Sequence, residues 1–504
     1  MLLNLTAEKL PEALYLSETV RQGEKRVAKA LGIPMYDLME RAGESVFSVV
    51  ETRFKQCRHI LVVTGTGNNG GDGYVVARLA LKSGYKVTLW QVGSAVKITG
   101  DAKTAEQRFL AEGGCILSSA DYVDSSVDLV IDGMLGTGLK GAVRDDVASV
   151  TRILNNTELP IVSIDAPSGL NTDTGRALGE TIRSAITVTF IAMKQGLVTG
   201  QARRYVGELL FAGLSVDSEF ADSYEADSLL TNEGWLSALK ERSQDSHKGT
   251  HGRLLIVGGG DGISGAAYLA AAASLRTGTG LTALTVHDSS CLPVRSLLPE
   301  AMVSQTSELL SRLKWCSTIC LGVGLGRLDW GQDVYQTVMK EAHATPKVID
   351  ADGLYWLAKK RCEVCLIENT VITPHPGEAA MLLDCSVTEV EDNRYRAVNQ
   401  LCQKYQCVTV LKGAGTLVSD GKKTVVCHAG NAGMATGGMG DVLAGVISSL
   451  LAQGYQPFDA ATLGTLIHSM AADHNAERHG QVGLIASDVL GSLRYIINGL
   501  GSQF

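Results

Sequence analysis

The sequence predicts an α/β protein with two domains, each built on a mainly parallel sheet. Short apolar runs alternate with stretches of helical periodicity in both halves of the chain, which is typical of strand–helix–strand units. The length of 504 residues exceeds what one hydrophobic core normally serves, and the 56 glycines suit tight strand-to-helix loops. We place the domains at residues 1–225 and 226–504.

The first half is predicted to begin with helices at residues 17–31 and 35–52. Apolar runs then predict five buried strands with helices crossing between them. These strands lie at residues 60–64, 86–91, 128–132, 161–165 and 185–190. Between about residues 215 and 251 the strand pattern stops, and polar residues predict a surface connection.

The second half repeats the strand and helix pattern. A glycine cluster, Gly258–Gly260, follows its first strand and precedes an alanine-rich helix, and a later helix is predicted at residues 442–451. The predicted strands lie at residues 253–257, 281–286, 318–321, 347–350 and 407–411. A second α/β domain is therefore expected.

The composition disfavours several classes of protein. A net charge of −8 gives no general attraction to nucleic acid or anionic lipid. No apolar stretch approaches the ~20 residues of a membrane span, and Met1–Leu10 lacks the pattern of a secretory leader. We expect a cytoplasmic homo-oligomer that binds neither nucleic acid nor membrane.

The cysteines indicate reduced thiols. Their number, 11, is odd and their spacing is irregular, so no disulfide framework is implied. Cys362 and Cys365 form a CxxC pair without a second pair at zinc-ribbon spacing. We therefore expect no zinc site.

A polar, glycine-rich segment follows the first predicted strand. It runs from Gly65 to Gly73 and places backbone amides where the start of a helix can hold an anion. It contains GxGxxG, but the next strand ends in residues 91–94 without the acidic residue of a dehydrogenase cofactor site. The alternative is a purely structural turn, which the additional Asn and Asp residues disfavour.

Two other predicted strands end in similar polar loops, at residues 132–142 and 165–169. Because the carboxyl ends of parallel strands share one edge of a sheet, the three loops should converge there. Leu139 stands where a phosphate-binding P-loop requires lysine, so nucleotide hydrolysis is not assigned to this half. Either strand-end Asp, taken alone, could equally be a turn cap.

Together the motifs NNGGDG, DGMLGTGLKG and IDAPSG resemble the YjeF N-terminal family, the NAD(P)H-hydrate epimerases, over roughly residues 10 to 215. The resemblance implies a Rossmann-like fold, interconversion of the R and S hydrates, and K⁺ coordinated by Asn69, Asp132 and Ser168. Asp165 is our hypothesis for the acid–base. The implied substrate contacts are Asn68, Asn69, Gly70, Gly71, Asp72, Gly136, Thr137, Gly138, Leu139, Lys140, Gly141, Ala142 and Asp165.

The second half carries the motifs HPGE at residues 375–378, KGAGT at 412–416 and GMGD at 438–441. In GMGD, glycines open a helix and present unpaired amides to a phosphate, while Asp441 lies beside them to act on an attacking hydroxyl. A helix N-cap is the structural alternative for this aspartate. The three motifs together favour phosphoryl transfer.

These motifs resemble the ADP/ATP-dependent NAD(P)H-hydrate dehydratases of the ribokinase-like superfamily, over roughly residues 245 to 500. Val323 departs from the proline that the family often carries, although both flanking glycines remain. The resemblance implies a hydrate site at Ala266, Gly324, His375 and Asp441. It implies a nucleotide site at Lys412, Gly413, Ala414, Gly415, Thr416 and Gly440.

The predicted chemistry has Asp441 accept the proton of the hydrate's hydroxyl as that oxygen attacks the terminal phosphoryl group of ADP or ATP, with Mg²⁺ bridging the phosphates. Asp350 and Asp352 stay outside the primary set, and Asp352 is expected to cap a helix as readily as to bind a ligand.

Two alternatives remain at this stage. GMGD and KGAGT alone would also serve a ribokinase-like small-molecule kinase, and an epimerase-like domain could act as a non-catalytic scaffold. The fusion of the two motif sets disfavours the kinase, and the retained polar loops disfavour the scaffold. The expected substrates are hydrated NADH and hydrated NADPH, with ADP or ATP as co-substrate.

Overall fold

The structure is a computed structural model that describes residues 10–118, 123–359 and 369–499. The chain divides after Leu230 into two compact units, called unit 1 and unit 2 here, compared with the division after residue 225 expected from the sequence. The CxxC pair, Cys362 and Cys365, and nearly all of the segment Met1–Leu10 lie outside the described residues. No helix in the described ranges is long and apolar enough to cross a membrane.

Unit 1 is a seven-stranded parallel sheet in the order β4-β3-β2-β5-β6-β7-β9, together with three short strands in which β1 lies between β8 and β10. Its strands are β1 Ala13–Tyr15, β2 His59–Thr64, β3 Lys86–Gln91, β4 Ile116–Leu117, β5 Leu129–Gly133, β6 Ile161–Ile164, β7 Ile186–Phe190, β8 Met193–Lys194, β9 Glu208–Ala212 and β10 Ser228–Leu230. Its helices are α1 Ser17–Ala30, α2 Met35–Arg53, α3 Asn68–Lys82, α4 Gly100–Ala111, α5 Asp145–Asn155, α6 Ala202–Tyr205 and α7 Asp217–Ser223.

The sheet of unit 1 is covered on both faces, which explains why its central strands are mainly apolar. Ile60 and Val62 of β2 belong to one buried cluster with residues of α1 to α4. Leu61 and Val63 of the same strand belong to a second cluster with α5. The alternation of side chains along the strand therefore produces the three-layer structure predicted for this half.

Unit 2 has a sheet in the order β13-β12-β11-β14-β15-β16-β17-β18-β19, parallel as far as β17 and antiparallel in its last two pairings. Its strands are β11 Arg253–Val257, β12 Leu281–Thr285, β13 Met302–Ser304, β14 Thr318–Leu321, β15 Lys347–Ile349, β16 Thr370–Ile372, β17 Val408–Leu411, β18 Thr416–Ser419 and β19 Thr424–Cys427.

The helices of unit 2 pack against this sheet. One buried cluster joins α8, α16, α17 and α18 to alternate strand residues such as Leu254, Ile256 and Cys320. The helices are α8 Ser264–Thr277, α9 Asp288–Leu297, α10 Leu309–Trp315, α11 Asp329–Glu341, α12 Asp352–Lys359, α13 Pro376–Leu383, α14 Val387–Asp392, α15 Arg394–Tyr405, α16 Met439–Ala452, α17 Pro457–His479 and α18 Ala486–Ile497.

Three local expectations were wrong. The segment NNGGDG is not a loop, because α3 begins at Asn68. The helix expected at residues 442–451 begins earlier, at Met439, so Gly440 and Asp441 lie in its first turn. The stretch expected to be only a surface connection, residues 215–251, contains α7 and β10. In each case a helix or strand includes residues whose polarity or glycine content had predicted a loop.

Candidate active sites

A cavity of about 590 Å³ lies at the carboxyl edge of the unit 1 sheet. The parallel register aligns the strand ends, pairing Thr64 with Gly133 and Asp132 with Ser163, so the loops that follow β2, β5 and β6 meet there. The predicted residues Asn68, Asn69, Asp72, Gly136, Thr137, Gly138, Leu139, Lys140, Ala142 and Asp165 line this cavity. The convergence expected from the sequence is therefore present.

The remaining predicted residues of these segments adjoin the cavity without lining it. Gly70 and Gly71 are buried in the first turn of α3, and Gly141 is exposed in the loop after β5. A Cβ on Gly71 would lie 2.7 Å from the Met39 sulfur, so this glycine lets α3 approach α2 closely. Gly71 therefore contributes to the shape of the site through the packing of α3.

Asp165 is paired with a buried lysine. The Lys194 Nζ atom donates to Asp165 Oδ1 at 2.5 Å, and the side-chain exposures are 2% for Lys194 and 15% for Asp165. Thr189 Oγ1 donates to the same oxygen at 3.1 Å. Asp165 follows β6 in a left-handed conformation with φ of 63°, which is uncommon outside glycine. The pair places a charged carboxylate and an ammonium group on the wall of the cavity.

Sequence reasoning missed Lys194. It belongs to no glycine-rich motif, and β8 contains only two residues. Its position depends on the pairing of Lys194 with Tyr15 of β1, a contact between distant parts of the chain. A signal that the sequence does offer is a lysine directly after an apolar strand, in an otherwise apolar stretch.

Asp132 is buried among neutral donors. Ser168 donates to it through the hydroxyl at 2.6 Å and the amide at 2.9 Å, and Ser163 Oγ donates at 2.8 Å. Burial raises the pKa of Asp132, and the hydrogen bonds from the two serines oppose that shift. Within the described residues Asp132 forms no ion pair, so its negative charge has no cationic partner inside the protein.

Asn69 lies against the end of β5 and the loop that follows it. Its Nδ2 atom is buried without a hydrogen-bond partner among the described residues. A Cβ built on Gly133 would lie 3.0 Å from the Asn69 carbonyl oxygen, and one built on Gly136 would lie 3.2 Å from Asn69 Oδ1. The end of β5 and the loop after it thus approach Asn69 closely, and a side chain at either glycine would make a tight contact with it.

Unit 2 contains a second charged cluster, around Lys412. The Lys412 Nζ atom donates to Asp350 Oδ1 at 2.8 Å and lies 3.7 Å from Glu378 Oε2. Burial opposes the charged form of Lys412, but the two carboxylates outweigh it and raise the pKa of the lysine. Asp350, kept outside the primary set on sequence grounds, is 2% exposed and belongs to this cluster.

Asp441 lies beside the same cluster, in the first turn of α16. Burial raises the pKa of Asp441 to about 7, with a further contribution from Asp350 and opposition from Lys412. Burial likewise raises the pKa of Glu378 to about 7, with Lys412 opposing the shift. Two carboxylates that exchange protons near neutrality therefore share one site.

The start of α16 is open to a ligand. Gly438 caps the helix with a φ of 89°, and the amides of Met439, Gly440 and Asp441 precede the first full helical hydrogen bond, from Val442 to Gly438. A Cβ on Gly440 would lie 3.3 Å from Lys412 Nζ. The predicted nucleotide residues Gly440 and Lys412 are therefore neighbours.

The remaining KGAGT residues form a turn between β17 and β18. Gly413 has a φ of 141° and lies against the guanidinium of Arg394, which also donates to the carbonyls of Leu411 and Lys412. Thr416 Oγ1 donates back to the Gly413 carbonyl at 2.9 Å. Ala414 is exposed and Gly415 is buried in the same turn. Arg394, which the motif search missed, fixes the strand end that presents Lys412.

His375 is the N-cap of α13. Its Nδ1 atom accepts from the amides of Gly377 and Glu378, and its own amide donates to Glu378 Oε2 at 2.8 Å. Burial and the charge of Lys412 lower its pKa, which favours the neutral ring. With Nδ1 occupied as an acceptor, Nε2 of the neutral ring carries the proton and can donate it to a ligand.

Ala266 and Gly324 are also neighbours. A Cβ on Gly324 would lie 2.9 Å from the Ala266 side chain, and the φ of Gly324 is 57°.

Asp352 accepts from the Gly326 amide at 2.9 Å and from Arg327 Nε at 2.8 Å. This carboxylate therefore holds the loop that follows β14 at the start of α12.

Comparisons with known proteins agree with both halves of this description. The family described as YjeF-related protein N-terminus matches residues 35–196, and the NAD(P)H-hydrate dehydratase family matches residues 254–493. A ribokinase-like superfamily protein from Enterococcus faecalis superimposes with a TM-score of 0.51 at 25% identity, covering 54% of this chain and 95% of that one. Unit 2 therefore has the predicted ribokinase-like fold.

Two curated relatives match over almost the whole chain. A bifunctional NAD(P)H-hydrate repair enzyme from Vibrio cholerae is 45% identical over 494 residues, covering 97% of this chain and 99% of the relative. One of the same description from Escherichia coli is 42% identical over 495 residues, covering 97% and 95%. With both sites described above in place, the chain belongs to the family of bifunctional NAD(P)H-hydrate repair enzymes.

Proposed function

We propose that the chain restores hydrated NADH and NADPH in two steps. Unit 1 interconverts the R and S hydrates, and unit 2 dehydrates the S hydrate with consumption of ADP or ATP. The observation that carries the proposal is the presence, in one chain, of two separate acid–base clusters, Asp165 with Lys194 and Asp441 with Lys412. Each cluster is accompanied by a glycine-rich helix start that can hold phosphate.

In the epimerase step, Asp165 exchanges a proton with the hydroxyl on the hydrated ring. Lys194 holds the carboxylate in place through the 2.5 Å hydrogen bond and supplies a positive charge beside it. The first turn of α3 and the loop at residues 136–142 bind the phosphates and ribose, because their amides and Lys140 offer donors along the cavity. A cavity of about 590 Å³ suits a ligand of this size.

Potassium is proposed to bind at Asn69, Asp132 and Ser168. The support is chemical, since all three offer oxygen atoms and Asp132 is a buried carboxylate compensated only by neutral donors. A bound monovalent cation would supply positive charge near the phosphates of the hydrate. Asp132, Ser168 and Asn69 would hold the loops that follow β2, β5 and β6 together around it.

In the dehydratase step, Asp441 takes the proton from the hydrate's hydroxyl as that oxygen forms a bond to the terminal phosphorus of the nucleotide. The bridging P–O bond breaks, so ADP leaves AMP, or ATP leaves ADP. The lone pair of the ring nitrogen then expels phosphate, and loss of a proton from the adjacent carbon completes the reduced ring. The amides at the start of α16 and Lys412 stabilise the phosphate charge.

Magnesium is proposed to accompany the nucleotide. No cluster of three or more His, Cys, Asp or Glu side chains suited to a metal occurs in the described parts of the chain. Mg²⁺ is commonly held by one or two carboxylates and by substrate phosphates, which is compatible with the acidic residues near Lys412. When bound, it would neutralise phosphate charge, while His375, Ala266 and Gly324 orient the hydrate.

The test supplies a mixture of R and S hydrates, K⁺, Mg²⁺ and either ADP or ATP, and follows the absorbance of the reduced nicotinamide ring. The wild-type chain should convert the whole mixture, and only with nucleotide. Asp441→Asn should lower dehydration by about 10²-fold or more while epimerisation continues, because removal of a general base has effects of this size. Glu477→Gln, an exposed acid on α17, is the control.

Three results would contradict this proposal. Normal dehydration by Asp441→Asn would remove Asp441 from the mechanism. Accumulation of a stable phosphorylated product by the wild-type chain would instead identify a kinase, and absence of any conversion would favour a scaffold.

A further inference from the structure

The two hydrate epimers carry their hydroxyl group on opposite faces of the nicotinamide ring. A single carboxylate on one wall of the cavity reaches only one of these positions directly, because a proton donor must lie within hydrogen-bond distance of the oxygen. Asp165 enters from the end of β6, with its position fixed by Lys194, Thr189 and the backbone of Phe190. A second group is therefore needed on another wall.

Glu24 occupies such a wall. It lies on α1, which contributes Val20, Arg21 and Glu24 to the lining of the cavity. The carboxylate is half-buried and has neither a hydrogen bond nor an ion pair within the described residues, in contrast with the three donors that hold Asp165. A half-buried carboxylate without a partner in a ligand cavity is costly unless a ligand or a proton satisfies it.

Helix α1 packs against the rest of unit 1 at Gly23 and presents an adjacent face to the cavity. Gly23 is buried against the rings of Phe220 and Tyr224, and a Cβ at this position would lie 2.9 Å from Tyr224. The two rings stack at 4.9 Å between centroids. Val20, Arg21 and Glu24 are three or four residues apart on α1, so they share one face of the helix, and all three line the cavity.

The electrostatic environment suits proton exchange. Burial raises the pKa of Glu24 to about 7, with Lys194 opposing the shift and Asp165 adding to it. The charged and titratable groups around it are Lys194, Asp165, Lys25, Arg21 and, on α3, Asp72. Asp72 is a weaker candidate, since burial and the charges of Asp165 and Glu24 raise its pKa well above the ordinary value, which disfavours the carboxylate form.

We propose that Glu24 is a second acid–base residue of the epimerase site and serves the hydroxyl on the face of the ring away from Asp165. This inference rests on the proposed epimerase function of unit 1. Protonated Glu24 gives its proton to the departing hydroxyl on its own face of the ring, which leaves as water while the ring-nitrogen lone pair forms a C=N bond. Water then adds to the other face, its proton passes to the Asp165 carboxylate, and the electron pair of the C=N bond returns to nitrogen. The reverse direction exchanges the two roles.

The experiment compares Glu24→Gln, Glu24→Asp and the control Glu44→Gln, an exposed acid on the neighbouring α2, in the full-length chain. Each pure epimer is incubated in ¹⁸O-water, and both the epimer ratio and the label in the hydroxyl are measured. For Glu24→Gln we expect epimerisation to fall about 10²- to 10⁴-fold. One epimer should still exchange its oxygen with retained configuration, because Asp165 remains on its face, while the other should not.

Further readouts separate this role from a structural one. Nucleotide-dependent dehydration of the S epimer by unit 2 should be unchanged, Glu24→Asp should recover part of the epimerisation, and the pH profile of Glu24→Gln should lose one of its two limbs. Epimerisation by Glu24→Gln at the rate of the Glu44→Gln control, or equal label exchange by both epimers, would overturn the inference. Failure of the wild-type chain to epimerise would refute the proposed function itself.

Discussion

The ion pair between Lys194 and Asp165 is almost wholly buried, so its two charges depend on each other. Lys194→Met should lower the free energy of unfolding by about 3–5 kcal/mol, because removing one partner leaves the other charge uncompensated in the protein interior. Epimerisation should be lost as well. Urea denaturation followed by circular dichroism, read for the transition of unit 1, measures the first effect.

The double variant Lys194→Met with Asp165→Asn is the matched control. It contains no isolated charge, so it should recover most of the lost stability while remaining inactive as an epimerase. Equal destabilisation of the single and double variants would show that Lys194 contributes packing rather than charge.

A titration near neutrality is expected from Asp441. Since burial raises its pKa to about 7, the carboxylate needed as a base is lost as the pH falls below that value. The kcat/KM for dehydration should therefore decline with decreasing pH, whereas a base with an ordinary aspartate pKa would give a flat profile to about pH 5. Stopped assays of the S hydrate over a pH series provide the measurement.

The same titration affects stability, with a definite sign. A raised pKa means that the folded state binds the proton more tightly than the unfolded state, so this stabilisation is present at low pH. It is lost as the pH rises from about the ordinary value of 3.8 through about 7. Asp441→Asn should remove this dependence and raise the melting temperature of unit 2 at neutral pH. A lower melting temperature for the variant would contradict the assignment.

At the scale of the element, a substitution at the start of α16 should affect protein stability and nucleotide binding in opposite directions. Gly440 lies in the first turn of a helix, where replacement by alanine favours folding by about 0.5–1 kcal/mol. A Cβ there would lie 3.3 Å from Lys412 Nζ and would occupy the approach of a phosphate. Gly440→Ala should therefore keep or increase the melting temperature while it raises the KM for nucleotide at least tenfold.

Gly491→Ala on α18 is the matched control for this element. A Cβ at Gly491 has no neighbour within 4 Å, so this variant should change neither nucleotide KM nor dehydration rate. An unchanged nucleotide KM for Gly440→Ala would place the phosphate away from the first turn of α16.

The elements also show what sequence can predict. Strands β3, β11 and β14 begin and end where the apolar pattern places them, because most of their residues are apolar and lie in covered sheets. The antiparallel pair β18–β19 was missed, since four-residue strands beside a turn offer too short a pattern. The starts of α3 and α16 were misplaced because the glycines of NNGGDG and GMGD are typical of loops. In this protein the same glycines lie at the start of a helix.

The sites were predicted only in part for a similar reason. Glycine-rich motifs found Asp132, Asp165, Lys412 and Asp441, which lie within or beside loops of recognisable composition. Glu24 and Arg394 carry no local signal, and Lys194 carries only that of a lysine in an apolar stretch. Each enters its site through packing between distant segments, such as the pairing of β1 with β8, which no local pattern shows.

At the scale of the whole molecule, each proposed active site is complete within its own unit. The Asp165→Asn variant should convert only the S hydrate to the reduced nucleotide and leave the R hydrate. The Asp441→Asn variant should interconvert the epimers without dehydrating either. An equimolar mixture of the two variants should restore complete conversion, because the S hydrate can leave one chain and bind another. The return of the reduced-ring absorbance in the mixture is the measurement, and each variant alone is the control. If the mixture dehydrates only the S hydrate present at the start, the S hydrate must pass between the two sites of one chain.

The left-handed backbone at Asp165 has a consequence for natural variation. At a φ of 63°, aspartate, asparagine and glycine are accommodated far more readily than other residues. The usual exchange of aspartate for glutamate would therefore displace the carboxylate and strain the chain in a single step. Few other residues keep both the carboxylate and the left-handed backbone, so few substitutions of Asp165 should preserve activity. A variant that has lost the carboxylate regains it most readily by mutating back to aspartate.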